Sequence, residues 1–143
     1  MRRTILFAAS LMVWTFASSQ GLTLAELKAK NATQLTAAEL RELLPDAKVV
    51  ELTDGGSTHR WQNKADGTFI ASTDGRGSNG GRNSFVTGAG TWQVTEDAKL
   101  CITVKWPTNP EDWCRYVFKA DGKYYVVSRQ QDTAQARLME ISK

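Results

Sequence analysis

Beyond Pro45, apolar and polar positions alternate through much of the chain. Leu100, Ile102 and Val104 share one side of an extended segment, with Cys101, Thr103 and Lys105 on the other. Tyr124, Val126 and Ser128 alternate in the same way with Tyr125, Val127 and Arg129. Successive side chains of a strand point to opposite faces, so this period of two predicts strands with one covered face. The segment Arg60-Trp61-Gln62-Asn63-Lys64-Ala65-Asp66-Gly67-Thr68-Phe69 is echoed by Arg115-Tyr116-Val117-Phe118-Lys119-Ala120-Asp121-Gly122-Lys123-Tyr124. Asp-Gly supplies the positive φ of a tight turn, so each echo predicts a hairpin. A third hairpin is predicted where strands around Gly90–Thr95 and Leu100–Lys105 meet through Glu96-Asp97-Ala98-Lys99. The tail 134–141 fits a helix through Ala134, Leu138 and Ile141, or a strand through Arg137, Met139 and Ile141. Following a β run and a polar turn, it is read as a strand.

Before Pro45 the period changes. Leu22-Thr23-Leu24-Ala25-Glu26-Leu27-Lys28 is repeated in kind by Leu35-Thr36-Ala37-Ala38-Glu39-Leu40-Arg41. Thr followed three residues later by Glu is a capping box, in which each side chain takes the other residue's backbone N–H. Leu40, Leu43 and Leu44 then share one helical face, and Pro45 ends the run. The first helix could fray or be a turn. Both are expected to cover a face or end of the sheet, a partner-binding helix being the alternative. The predicted fold is therefore mainly β: an antiparallel meander or small barrel-like sheet of about six to eight strands after one or two short helices. Residues 20–45 form the helical segment and 46–143 the β domain, together one structural domain. Whether the sheet closes is not legible from the pattern.

The first residues carry a different signal. Arg2 and Arg3 precede an uncharged apolar run from Ile5 to Ala17, which ends at Ala17-Ser18-Ser19. A basic start, an apolar middle and a small-residue exit predict a cleavable export signal over 1–19, with the mature chain starting at Gln20. The run is shorter than the roughly 20 residues a membrane-spanning helix needs. No span is expected after cleavage, and no Cys follows the run to carry a lipid anchor. Cleavage changes the charge as well. It removes two of the 18 Lys and Arg and none of the 15 Asp and Glu, leaving 16 against 15. That near-neutral balance argues against a nucleic-acid partner, which calls for a clustered basic face. In an exported chain, the pair Cys101 and Cys114 reads as a disulfide. Closing so short a loop stabilises by roughly 3 kcal/mol in the chain-entropy picture.

Few segments offer chemistry. The glycine-rich stretch from Asp74 to Arg82 carries Arg76 and Arg82, and its N–H groups and guanidiniums suit an anion. It lacks the Gly-Lys-Ser/Thr ending of a phosphate loop, and Arg76 stands where a calcium loop wants an oxygen ligand. The plain alternative is a long hairpin tip. His59 is the one histidine of the chain, too few for a histidine-rich zinc centre. No Gly-x-Ser-x-Gly motif or carboxylate pair marks a nucleophile or an acid–base dyad, so His59 is read as a strand residue with one face exposed. Neither metal nor cofactor is predicted, and no catalytic residue is assigned.

Trp61 and Trp92 lie in alternating strands and are expected in the core. Trp106 and Trp113 flank the turn-rich segment Pro107-Thr108-Asn109-Pro110-Glu111-Asp112, which the two Cys would tie off, and Trp113 abuts Cys114, so the bridge could hold it rigidly at a surface. Trp joins a broad flat face to a single N–H donor. Trp106, Trp113 and Arg115, with Arg76 and Arg82, are the candidate binding residues. Asn31-Ala32-Thr33 is a glycosylation sequon.

Leu35-Thr36-Ala37-Ala38-Glu39-Leu40, Ala65-Asp66-Gly67-Thr68-Phe69, Gly90-Thr91-Trp92, Leu100-Cys101 and Trp113-Cys114-Arg115-Tyr116 together resemble an exported proteobacterial family, the domain of unknown function nine-nine-five. The resemblance spans most of the mature chain. It implies a bacterial, periplasmic or secreted setting, and brings neither an activity nor a site. The expected function is a non-enzymatic binding domain for a protein or cell-envelope component. A small calycin-like barrel carrying an apolar ligand and a hydrolase built from scattered carboxylates are the alternatives.

Overall fold

In the computed structural model, which describes residues 21–75 and 84–143, the alternating segments become strands and the two Thr-x-x-Glu segments become helices. The chain runs α1 (Leu24–Ala29), β1 (Thr33–Gln34), α2 (Ala37–Leu43), β2 (Lys48–Leu52), β3 (Thr58–Gln62) and β4 (Thr68–Gly75). It continues through β5 (Ser84–Val94), β6 (Lys99–Lys105), β7 (Pro110–Ala120), β8 (Lys123–Val127) and β9 (Ala136–Ser142). The predicted signal over 1–19 and the stretch from Arg76 to Arg82 lie outside the described residues.

Each strand from β2 to β9 pairs antiparallel with the next, and β9 returns to β2 through Val49↔Ile141 and Glu51↔Met139. The meander therefore closes into an eight-stranded barrel, so that most backbone polar groups of its wall find a neighbouring strand. The two-residue β1 lies outside the barrel and pairs with β7 at Thr33↔Lys119 and Gln34↔Phe118. It is too short for an alternation to announce it. The predicted turns form, with Gly67 at φ 85° and Gly122 at φ 73°. The tail is a strand.

Eight strands leave an interior that side chains can fill. Following the register inward, Val49 opposes Trp61, Trp61 opposes Ala71, and Trp92 opposes Ile102. Phe69, Leu100, Val104, Val117, Val126 and Met139 complete this buried cluster. Glycine on β5 makes room for the rings. A Cβ at Gly90 would stand 2.3 Å from the Phe69 ring, and one at Gly88 would stand 2.9 Å from Trp106.

Helix α2 closes one end of the barrel with Leu40 and Leu44, joined by Leu35. Asn63, itself buried, anchors that end by accepting from Trp61 Nε1 at 3.0 Å and donating to the Leu44 carbonyl at 3.0 Å. Helix α1 packs elsewhere, with Leu24 and Leu27 against the outward side chains Phe118, Ala120, Val127 and Ala136. Burying each such leucine contributes about 1.5–3 kcal/mol, far more than helices of six and seven residues gain from propensity alone. Both capping boxes are formed: Thr36 N donates to Glu39 Oε2 at 2.7 Å, and Glu39 N to Thr36 Oγ1 at 3.2 Å. Cys101 and Cys114 are bonded across β6 and β7 at directly opposed positions.

The wall is not equally tall all round. β7 pairs with β6 from Pro110, but β8 joins it only from Tyr116 onward. Residues 128–135, between β8 and β9, turn toward α1, where Leu24 N donates to the Ala134 carbonyl and Ala25 N to the Asp132 carbonyl. This leaves a notch in the wall at the end of the barrel away from α2.

Candidate functional site

Toward the notched end, the inward positions of the strands cease to be apolar. Glu51 opposes His59 and His59 opposes Thr73, while Val104 opposes Glu111, Leu100 opposes Arg115, and Val126 opposes Arg137. Alternation alone carries these polar side chains inward: Glu51 is two residues from Val49, and Arg115 is two from Val117.

They form one continuous set of contacts. Trp106 Nε1 donates to Glu111 Oε2 at 2.9 Å, and Trp113 Nε1 donates to Glu111 Oε1 at 3.0 Å. His59 Nδ1 lies 3.7 Å from the same carboxylate, and its ring centroid is 5.0 Å from that of Trp106. The Trp113 ring lies against the Arg115 guanidinium, whose Cζ is 4.0 Å from the ring centroid. Arg115 Nη1 in turn donates to Glu51 Oε1. Arg137 completes the chain, with Nη1 3.6 Å from Glu51 Oε1 and Nη2 3.0 Å from Asp54 Oδ2.

Burial makes this set demanding. Glu51 is 2% exposed and Arg115 9%. Taking an ion out of water costs several kcal/mol, so a carboxylate there needs charged partners. Arg115 and Arg137 supply them. Glu111 is partly exposed, and its two oxygens are taken by the two indoles. Thr73 Oγ1 is buried without a hydrogen-bond partner among the described residues. A cleft of about 410 Å³ opens at the notch, lined by Asp54, Arg115, Ser128, Arg129, Gln131 and Arg137 among others.

The structure thus brings together three of the five residues singled out from sequence: Trp106, Trp113 and Arg115. Their setting differs from the expectation. The disulfide does not hold Trp113 at an outer surface, because neighbouring residues of a strand face opposite ways: Cys114 faces out and Trp113 faces in. His59 likewise points into the barrel, its side chain only 14% exposed. Arg76 and Arg82 lie outside the described residues. Glu51, Glu111 and Arg137 join the site although no motif in the sequence marks them. A signal was available at Glu51, an acid on the covered side of a short apolar strand.

Among the described residues, no three His, Cys, Asp or Glu side chains are grouped to hold a metal ion. No described helix is long and apolar enough to cross a membrane. Neither a curated protein sequence nor a solved structure matches the chain. The profile of one family, described as "Protein of unknown function (DUF995)", matches residues 8–134, and the protein belongs to that family.

Proposed function

We propose that this protein is an exported, non-enzymatic binding domain that takes a protein or cell-envelope component at the notched end of its barrel. The observation that carries the reading is the change in the barrel's interior. It is packed with apolar side chains at the α2 end, and at the other Arg115 and Arg137 line a cleft, with Trp113 stacked on Arg115 and joined to Trp106 through Glu111. Aromatic faces and guanidiniums are the groups that most often anchor recognition. The basic and apolar start of the sequence and the Cys101–Cys114 bridge favour export to a periplasmic or extracellular setting.

The site's inward carboxylates favour binding over hydrolysis. Glu51 is engaged by Arg115 and Arg137, and Glu111 by two indole N–H groups, so neither stands free as an acid–base pair would. The calycin-like alternative shares the barrel shape. Its apolar ligand would need a chamber where Trp61, Phe69, Ile102, Val117 and Met139 already pack.

The test is partner capture from envelope extract with immobilised mature protein, followed by the same capture with Trp106→Phe and Trp113→Phe. Both substitutions keep an aromatic ring and delete the indole N–H. The expected result is a partner retained by the native protein and lost by folded variants. Variants that stay folded and keep every interaction would overturn the site assignment.

A further inference from the structure

The notch is rich in cationic donors. Arg115 and Arg137 face it from β7 and β9, and Arg129 from the segment that leaves β8. Against these three guanidiniums stand Asp54, which lines the cleft, and Glu51, which pairs with Arg115 and Arg137. The set therefore carries one positive charge more than it neutralises.

The donors are also incompletely used. A guanidinium has five N–H groups. Among the described residues, the hydrogen bond of Arg115 runs from Nη1 to Glu51, and its Nε and Nη2 make none. Arg129 is exposed and forms no ion pair among the described residues. Trp113 lies over the Arg115 guanidinium and restrains it, so that little freedom is left to lose on binding. A planar fork so held matches two oxygens of a carboxylate or a phosphate side by side. Ser128 and Gln131, on the same lining, add neutral donors.

We infer that the notch is an anion site, in which Arg115, Arg129 and Arg137 hold a carboxylate or phosphate group of the ligand. The inference rests on the reading of this end as the binding site and names the chemistry that the site selects.

The experiment is calorimetric titration of the disulfide-bonded mature protein with inorganic phosphate and, separately, with glutarate, using glycerol as the neutral control. Saturable binding of phosphate, of glutarate or of both is expected, with none of glycerol, and the preferred probe identifies the source of the anion. Arg129→Ala removes an exposed side chain and leaves the core intact. It should weaken probe binding about tenfold or more, as loss of a charge-assisted hydrogen bond does. Arg60→Ala, whose guanidinium lies near Asp74 rather than in the cleft, should change nothing. Absence of binding by both probes, or binding that Arg129→Ala and Arg137→Ala leave unchanged, overturns the inference. The two readings fail separately. Probe binding without any envelope partner leaves the anion site standing and removes the macromolecular partner. A Trp113-dependent partner without probe binding does the reverse.

Discussion

Replacing Glu51 with Leu tests the account of the barrel's polar end most directly. The Glu51 side chain is 2% exposed and the Arg115 side chain 11%, so the pair interacts in a poorly hydrated interior. Leucine is larger than glutamate by about one methylene and leaves the Arg115 guanidinium buried with no counter-charge. Loss of one partner from a buried pair costs about 3–5 kcal/mol. Arg137 adds little to that cost, since it keeps Asp54 at 3.0 Å and its side chain is about a third exposed. In a domain of this size each kcal/mol lowers Tm by roughly 4 °C, so Glu51→Leu should melt about 10–20 °C below the native protein. Arg115→Met should cost somewhat less, because Arg137 remains 3.6 Å from the orphaned carboxylate. The double variant removes both charges and should be much more stable than the sum of the single losses implies, with a coupling of about 2 kcal/mol. Urea unfolding followed by tryptophan fluorescence, with the disulfide intact, gives all four stabilities. A cost below about 1 kcal/mol for Glu51→Leu, or strict additivity in the double variant, would refute the view that burial makes these charges interdependent.

Two further outcomes follow from local geometry. Gly90→Ala places a Cβ 2.3 Å from Cε2 and Cζ of Phe69, whose ring is confined against Trp61, and 2.9 Å from the Thr103 carbonyl. It should destabilise by at least about 1–3 kcal/mol, and Phe69→Leu in the same chain should recover part of that loss in denaturation midpoints. The capping carboxylates Glu26 and Glu39 sit below their ordinary pKa of 4.5, chiefly because the backbone N–H of Thr23 and of Thr36 donates to them, with the two hydroxyls second. A carboxylate lowered in the folded state stabilises above its unfolded value and loses that contribution as pH falls through the folded one. Between about pH 5 and about pH 2, the stability of Glu26→Gln/Glu39→Gln should fall less steeply than that of the native protein in parallel denaturant titrations.

What the sequence determined by itself is local. The two capping boxes, the Asp-Gly turns and the alternation in β6 and β8 are written in residues no more than a few positions apart. The chemistry of those neighbours decides the backbone. Trp61 fell in the core for the same reason, being an aromatic on the covered side of a strand. The terminal segment was ambiguous only because its apolar spacing satisfied both periods. It became β9 because β2 and β8 offered it two edges.

Tertiary structure decided the rest. Closure depends on β9 meeting β2, with Val49 opposite Ile141, and neither strand carries a mark of the other. The same closure turned Trp106 and Trp113 inward and put the Cys101–Cys114 bridge on the far side of β7 from the site. Glu51 shows the limit most sharply. In its own strand it reads as a polar interruption, and its role exists only because Arg115, 64 residues later, arrives beside it inside the barrel. A buried charge is tolerated when its partner is present, and strand pairing across the whole fold is what supplies the partner.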